Sequence, residues 1–495
     1  MKQLNYKVGV KILIGLGIFI RLYQYLVCRS FYHDEALLAR NINDLSFPEL
    51  TSVLEFNQAA PFGFLWLTKA IVNVAGDQEY SFRLIPLLAG IASIFVFYKI
   101  IQYFFNSSFR LIALAFFILN NHLVFYSISF KQYGIDVFIG LLITWAFLKV
   151  LNEEHTQKEF FVWTFIGASL VYFSQPSIFF LASGGLVLTF SFLGKKNFPQ
   201  FKNLTLSGSI WIASFLFYFF FFLRPNLSND FLQNYHTQYY MPLSFWKAES
   251  WSWYIDSFTN LFSNPTDIHF KTLGVIFGFL GIIFGLLKND KKYFLLLLPI
   301  LFAFGASAFE KYSTIPRLML FATPAFIIFL VKGLEFVYQK LDPIIPKFSF
   351  PITLILCGIL LLQSFLNSAI HQIAKPKRVE NIKALLSYIE SEKQPNDVLY
   401  LYFHSEAQFG YYKNKYELAN LEIIQGKNPY DELWESDFEA LKNKGRVWVL
   451  MTHYKRLDGT LDNQIYTEKM NTFCLKTAEK NEAGGVVLLY NCSSK

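Results

Sequence analysis

Long apolar runs separated by short polar segments make up most of the chain as far as residue 370. A helix of about 20 apolar residues crosses the roughly 30 Å hydrocarbon core of a bilayer. The pattern therefore predicts about eleven transmembrane helices, the eighth ending at Lys288 and the ninth at Phe309. The other nine are predicted over Val8–Val27, Phe82–Tyr103, Leu111–Ile128, Ile135–Leu151, Phe160–Phe173, Ile178–Leu193, Leu204–Leu223, Arg317–Lys340 and Phe350–Leu366.

The positions of the lysines indicate how these helices are oriented. Three lysines, at positions 2, 7 and 11, lie at the starting end of the first apolar run, and later lysine clusters fall in alternate loops. Because cytoplasmic loops carry an excess of lysine and arginine, we predict a cytoplasmic N-terminus and long outer loops over residues 29–80 and 224–270. The first run has no small-residue cleavage site, so we interpret it as a span that is retained.

The apolar run Phe62–Val74 is shorter than the others and ends at Ala75-Gly76-Asp77. We interpret it as a surface or re-entrant helix. If it were a span instead, the orientation of every later helix would be inverted.

The pattern changes after His371, where amphipathic and short strand-like segments alternate. Helix–strand alternation over this length predicts a small α/β domain. The fold class is therefore an α-helical polytopic membrane protein with a C-terminal extracytoplasmic α/β domain, divided into a transmembrane domain over 1–370 and the α/β domain over 371–495. The predicted strands of the α/β domain are Val398–Phe403, Arg446–Met451, Asn471–Leu475 and Gly485–Tyr490.

The composition supports a location in the cell membrane, either the inner or the plasma membrane. Only 16% of the residues are charged and 54% are apolar, whereas soluble domains carry about 25% charged residues. The net charge of +8 comes from lysines in short loops, which favours membrane orientation over nucleic-acid binding. Cys474 and Cys492 could form one disulfide if their domain lies outside, and the sequence leaves this open.

Two adjacent acids, Asp34 and Glu35, follow the first span directly. A carboxylate beside a transmembrane helix is costly to hold there, which marks a candidate functional site. The alternative is that Asp34 only caps a helix or complements its dipole. His33 precedes the acids, but three consecutive residues point in different directions on a helix, so we predict no metal site.

Basic and tyrosine side chains are predicted on the same outer side. An anionic lipid headgroup would need such cations, and a step that removes a proton would need such an acid. Each cation could instead be a residue whose charged end reaches the interface from a nearby helix. The set comprises Arg83, Lys131, Tyr133, Lys311, Tyr312 and Arg317.

Several of these motifs occur in an order that resembles the glycosyltransferase C superfamily. The resemblance is to the branch of dolichyl-phosphate-mannose protein mannosyltransferases and bacterial lipid A sugar transferases, and it covers about Lys11 to Gly333. Lys131-Gln132-Tyr133 is similar to an Arg-x-Tyr turn of that branch, with Lys in place of Arg. The other matching segments are Asp34-Glu35-Ala36, Gln58–Gly63, Gly76–Pro86 and Tyr312–Pro324.

The resemblance implies transfer of a sugar from a polyprenyl-phosphate donor at the outer face, with inversion at the anomeric carbon. It makes Asp34 the general base and Glu35 its support. The phosphate would be bound by the six side chains of the outer set. Because lysine lacks the fork of arginine, the phosphate contact of Lys131 is the least secured of these.

Other features stay open at this stage. A divalent cation is not excluded, and the acceptor is a protein, lipid or glycan hydroxyl. The alternatives are a lipid or sugar transporter or flippase without transfer chemistry, and a membrane scaffold whose C-terminal domain binds a partner. Charges buried mid-span and paired broken helices would favour a transporter, whereas here the charges collect at one face.

Overall fold

The computed structural model describes residues 2–153, 156–227, 229–288, 290–376, 378–418, 420–429, 432–456 and 458–493. The chain is mainly helical and carries one sheet near its C-terminal end. The helices of the first half are α1 (Lys2–Val27), α2 (His33–Asp44), α3 (Phe62–Ala75), α4 (Glu79–Ile101), α5 (Ser107–Leu119), α6 (Asn121–Ser127), α7 (Tyr133–Asn152), α8 (Gln157–Leu170), α9 (Ser177–Gly194), α10 (Phe198–Tyr218), α11 (Arg224–Leu227) and α12 (Asp230–His236).

The remaining elements continue in chain order. The helices are α13 (Ala248–Ser263), α14 (Lys271–Leu287), α15 (Lys292–Ala308), α16 (Thr323–Leu341), α17 (Pro346–Asn367), α18 (Ile382–Glu392), α19 (Glu406–Tyr412), α20 (Ser436–Leu441) and α21 (Asp462–Asn471). The strands are β1 (Val398–Leu401), β2 (Glu422–Gln425), β3 (Arg446–Thr452), β4 (Leu475–Glu482) and β5 (Gly485–Asn491).

By their internal contacts, the residues form two compact units. The first, here called the membrane unit, comprises Met1–Leu26 and Phe47–Pro376. The second, here called the sheet unit, comprises Val27–Ser46 and Lys377–Lys495, and so includes α2 with the two adjacent acids. The domain limits at 370 and 371 stay a prediction, because they follow the sequence pattern and assign α2 to the transmembrane part.

The membrane unit confirms a polytopic membrane fold. Among the described residues, seven helical stretches are long and apolar enough to span a bilayer, and the bent pair α5–α6 would make an eighth. The predicted count of eleven is not confirmed. Helices α14 and α15 have 17 residues each, at the lower end of spanning lengths, and α8 has 14. By their length, these three helices are the predicted spans that are not counted among the spanning stretches.

The bend between α5 and α6 positions the turn that carries Lys131. The two helices meet at 54°. The Asn120 side chain accepts from the Leu123 N–H and donates to the carbonyls of Pro265 and Thr266, at 2.8, 3.0 and 2.9 Å. One amide therefore caps α6 and fixes it to the segment before α14, since a broken helix in a membrane must satisfy its freed backbone groups.

Glycines allow a close backbone contact between α14 and α16 in the membrane unit. A Cβ atom at Gly281 would overlap the carbonyl oxygen of Phe329, and one at Gly333 would overlap that of Phe277. Small residues let membrane helices approach until their backbones touch. These two glycines set the spacing of the pair.

We predict that Gly333→Ala destabilises the membrane unit by about 3 kcal/mol, because the added methyl meets backbone that cannot move aside. The measurement is thermal unfolding of the purified protein in detergent. The matched control is Gly358→Ala on α17, where a Cβ meets nothing within 4 Å. Equal unfolding midpoints for the two variants would contradict the assigned contact.

The sheet unit is built on one five-stranded sheet with the order β2-β1-β3-β5-β4. Strands β1, β2 and β3 run parallel, and β5 pairs antiparallel with both β3 and β4. The predicted α/β class of this region is confirmed. Three predicted strands correspond to β1, β3 and β5, but the predicted strand Asn471–Leu475 is wrong, because β4 begins only at Leu475.

The sequence pattern misplaces β4 and does not predict β2, and both errors have a physical cause. Both are edge strands of the sheet, and both are largely exposed. An edge strand with polar residues lacks the apolar run by which a buried strand is recognised. The β4–β5 hairpin is closed by a disulfide between Cys474 and Cys492, which answers the question left open by the sequence.

Helix α2 is anchored within the sheet unit against α19. The Arg40 guanidinium donates to both carboxylate oxygens of Glu406, at 2.7 and 2.9 Å. The Gln408 side chain donates to the Phe31 carbonyl at 2.6 Å, and the Phe31 N–H donates to the Tyr412 hydroxyl at 2.9 Å. Charge-assisted and buried bonds at both ends of α2 fix the helix that carries the candidate acids.

Candidate active site

The two adjacent acids occupy the first turn of α2 but differ in their surroundings. Glu35 is fully buried, its carboxylate accepts from the Tyr32 N–H at 3.3 Å, and it lies 3.7 Å from the Arg29 guanidinium. Asp34 is only half-buried. A carboxylate at this helix end is also favoured by the helix dipole. Glu35 therefore caps the helix and faces a cation, whereas Asp34 is the more exposed of the two acids.

Three histidines and a glutamate surround the start of α2 within the sheet unit. His404 follows β1 and His453 follows β3, so both lie at the carboxyl ends of adjacent parallel strands, where α/β sheets bind ligands. The His33 ring stacks on His453 with centroids 4.7 Å apart, and His404 packs edge-on against both rings. One carboxylate, that of Glu380, accepts from the His33 N–H and contacts His453 Nδ1, each at 2.8 Å.

The surroundings of these rings shift their protonation in opposite directions. Burial lowers the pKa of His33, and the neighbouring His453 lowers it further. Burial also lowers the pKa of His404, to about 4. The hydrogen bond to Glu380 raises the pKa of His453. Of the three rings, His453 is therefore the one that most readily carries a positive charge.

The four residues do not form a metal centre. Within the described parts of the chain, no group of three or more His, Cys, Asp or Glu side chains could hold a metal ion. The rings stack and contact backbone or carboxylate groups instead of converging on one point.

In the membrane unit, two of the sequence motifs meet at Lys131. Lys131 is buried in the turn before α7, and its ammonium donates to the Gln58 side chain at 2.8 Å. The neighbouring Gln132 side chain donates to the Ala59 carbonyl at 3.3 Å. The turn and the first long loop are therefore joined by two adjacent side chains, and the Lys131 charge has a fixed position.

Arg317 lies against the second long loop. Its guanidinium contacts the Tyr235 hydroxyl at 3.4 Å and lies 5.6 Å from the centre of that ring. Burial lowers the pKa of His236 to about 4, and the Arg317 charge contributes to this shift. The Thr314 N–H donates to the Tyr239 carbonyl at 3.2 Å, which attaches the loop to the turn before α16.

Tyr312 has a structural bond that the sequence did not indicate. The phenol is buried, which raises its pKa well above the ordinary value, and it donates to the Leu318 carbonyl at 2.8 Å. Its ring lies 5.1 Å from that of Phe179. The hydroxyl thus secures the turn before α16, while the adjacent Lys311 is exposed.

Arg83 and Tyr133 both lie at helix starts. Arg83 is 3% exposed in the first two turns of α4. Tyr133 is buried at the first position of α7, with its ring edge-on to Tyr126 at 5.1 Å. A buried guanidinium is costly unless polar or anionic groups surround it, so the position of Arg83 is consistent with an anion site.

One acid in the membrane unit was missed from the sequence. Asp136 is 3% exposed in the first turn of α7, facing the Ser174 hydroxyl. The signal was present, because an acid within an apolar run is a functional candidate. The predicted span Ile135–Leu151 includes Asp136, so the apolar pattern does not single it out as a site residue. His404, His453 and Glu380 gave no comparable signal, since only the fold brings them to α2.

Comparisons with known proteins find the fold but no sequence relative. No protein-family model and no curated protein sequence matches the chain. The crystal structure of ArnT from Cupriavidus metallidurans bound to undecaprenyl phosphate superposes with a TM-score of 0.54 at 13% identity, covering 97% of each chain. The apo state of the same protein gives 0.51 at 12% identity, covering 96% of this chain and 97% of that one.

A third solved structure aligns more loosely. It is the Archaeoglobus fulgidus oligosaccharyltransferase in complex with Zn and sulfate, with a TM-score of 0.48 at 12% identity, covering 97% of this chain and 73% of that one. The fold is assigned from the two ArnT structures, which both extend over nearly the whole chain. The chain shares the overall membrane fold of these two ArnT structures.

Proposed function

We propose that this protein transfers a sugar from a polyprenyl-phosphate donor to an acceptor hydroxyl at the extracytoplasmic face of the membrane. The observation that carries the proposal is the fold shared with ArnT bound to undecaprenyl phosphate, over 97% of both chains. At 13% identity this likeness concerns the fold, so the residue roles rest on the site itself.

The proposed chemistry is a single displacement at the anomeric carbon. The acceptor oxygen forms the new bond to this carbon as the carbon–oxygen bond to the phosphate breaks, which inverts its configuration. Asp34 accepts the proton of the acceptor hydroxyl. The bonding pair leaves with the phosphate, so the second product is polyprenyl phosphate. A carboxylate that is only half-buried can be reached by an acceptor hydroxyl, which suits the role of the base.

Glu35 supports Asp34 without contacting substrate in this mechanism. Its carboxylate is held by the Tyr32 N–H and faces the Arg29 guanidinium. These bonds fix the first turn of α2 and therefore the direction of the Asp34 side chain. We classify Glu35 as a positioning residue.

The cations of the membrane unit are proposed to stabilise the leaving phosphate. Fixed positive charge in a partly dry site stabilises negative charge that develops in the transition state. Arg83 and Lys131 are buried, and Arg317 is held against the second long loop. We retain Tyr133, Tyr312 and Lys311 as proposed phosphate neighbours, although the Tyr312 hydroxyl must leave the Leu318 carbonyl to donate to phosphate.

We predict that the purified protein, reconstituted in vesicles with undecaprenyl-phosphate-linked pentoses or hexoses and envelope extract, releases undecaprenyl phosphate. When the sugar of the donor carries an isotope label, this label should appear in an envelope lipid, glycan or protein. Mass analysis then identifies the labelled product. A matched comparison is the envelope of cells with and without this protein. Intact donor with every sugar and unchanged envelope composition would contradict the proposed function.

A transporter or flippase would behave differently in the same vesicles. It would move labelled donor across the bilayer and leave the sugar–phosphate bond intact. Measuring translocation and phosphate release together therefore separates the two functions.

A further inference from the structure

Glu380 connects the start of α2 to the ring of His453. Its buried carboxylate has one oxygen 2.8 Å from the His33 N–H and the other 2.8 Å from His453 Nδ1. The carboxylate therefore fixes the first turn of α2, one residue from Asp34, and accepts from the His453 ring. A charge-assisted bond of this kind favours the protonated imidazole.

The tautomer of His33 follows from its partner. Its Nδ1 lies 3.1 Å from the His404 carbonyl, which can only accept, so Nδ1 carries a hydrogen. His33 needs no second proton for this bond. A second positive charge stacked 4.7 Å from His453 would also be unfavourable. The geometry favours His453 over His33 as the ring of the stacked pair that carries the charge.

The backbone at His453 is also held in an unusual conformation. Its φ is +54°, in the left-handed region that few non-glycine residues adopt. The His453 N–H donates to the Gly484 carbonyl at 3.2 Å, which helps to keep this conformation. Such backbone is found where surrounding structure over-determines a side-chain direction, often at functional sites. Here it directs the ring toward Glu380.

Several charged or titratable groups of the sheet unit face His453. Glu380 and Asp34 favour its protonated form. His33 and His404 are neutral rings at its sides, and Arg456 faces His404. The imidazolium therefore has two anionic neighbours, one that binds it and one that is the proposed base.

We propose that Glu380 and His453 are a positioning pair for Asp34. Glu380 holds both the first turn of α2 and the protonated His453 ring, and the imidazolium keeps the Asp34 carboxylate ionised while the acceptor hydroxyl binds. This inference rests on the proposed function, because it assigns the pair to the base of that reaction. It makes the sheet unit part of the catalytic apparatus and not an accessory domain.

The coupling is measurable without any transfer assay. Histidines of the full-length protein in detergent are labelled with ¹³C at Cε1, and the His453 signal among the eight histidines is assigned from its loss in His453→Gln. We expect His453 to titrate above about pH 6.5, the ordinary value, and lower in Glu380→Gln. In Asp34→Asn its midpoint should fall by roughly half a pH unit, because a stabilising negative charge is lost. An unchanged His453 titration in Asp34→Asn would overturn the pairing.

The catalytic consequence is tested by the pH profile of kcat/KM in the reconstituted transfer assay. By linkage, loss of the imidazolium raises the pKa of Asp34 by the same amount. His453→Gln should therefore move the acid limb up by roughly half a pH unit, and His453→Lys, which keeps a cation, should restore it. Glu380→Gln should move the limb in the same direction, whereas Glu380→Ala should also lower kcat at every pH because the tether to α2 is lost.

Two outcomes distinguish failure of the positioning pair from failure of the proposed function. A purely structural role would reduce the folded amount of each variant and leave the acid limb in place, which overturns the pairing. A His453 signal coupled to Asp34, together with full transfer by Asp34→Asn, overturns Asp34 as the base and with it the proposed mechanism. The control His269→Gln, an exposed histidine in the membrane unit, should leave the profile unchanged.

Discussion

Asp34→Asn is expected to lower the rate of sugar transfer by about 10²- to 10⁴-fold, the range in which a positioned general base contributes. The amide is nearly the same size as the carboxylate but cannot accept the proton of the acceptor hydroxyl. Because Asp34 is half-buried, the substitution should leave the fold intact. The measurement is kcat for transfer from undecaprenyl-phosphate-linked sugar in vesicles, with binding of undecaprenyl phosphate followed in parallel.

The same helix offers a matched control. Asp44 ends α2, is exposed and lies eleven residues from the start of the helix at His33. Asp44→Asn makes the identical chemical change and should transfer at the rate of the unmodified protein. If the Asp34 and Asp44 variants are equally active, Asp34 is not the base. If both bind undecaprenyl phosphate normally and only the Asp34 variant is slow, the defect lies in the chemical step.

Lys131→Met is expected to lower transfer by about 10²- to 10³-fold, the loss found when one group that stabilises developing charge is removed. The methionine fills a similar volume but lacks the ammonium that Gln58 holds in place. Binding of undecaprenyl phosphate should weaken as well, since the phosphate keeps its charge after transfer. The measurement is kcat together with the Kd of undecaprenyl phosphate.

Two further variants separate charge from position at this site. Lys131→Arg keeps the charge and restores the residue common in the resembling family, so it should retain transfer within about tenfold. Gln58→Leu keeps the Lys131 charge but removes its 2.8 Å bond, and should give an intermediate loss. Unimpaired binding and transfer by Lys131→Met would remove Lys131 from the phosphate site.

The membrane fold could be predicted because long apolar runs have few structural solutions in a bilayer. The number of spans could not, because apolar helices such as α8 and α15, with 14 and 17 residues, are shorter than a typical spanning helix. In the sheet unit, the buried strands β1, β3 and β5 were recognisable from their apolar runs. The exposed edge strands β2 and β4 were not.

The acids of α2 stood out because charge next to a span is costly, and this argument needs no partner residue. Their setting required the three-dimensional structure. Glu380, His404 and His453 lie more than 340 positions further along the chain, and each is unremarkable among its neighbours. Sequence spacing carries no information on contacts of that kind. Helix α2 illustrates the limit, because it follows the first span in sequence but groups with the sheet unit by contact.

We propose that the protein breaks a sugar–phosphate bond with the help of Asp34. The most direct measurement follows undecaprenyl phosphate release and the anomeric configuration of the product in one vesicle preparation, for the unmodified protein and for Asp34→Asn. The proposed mechanism predicts release with inverted configuration for the unmodified protein and release at least about 100-fold slower for Asp34→Asn. Equal release by both proteins, or labelled donor that crosses the bilayer intact in both, would contradict it.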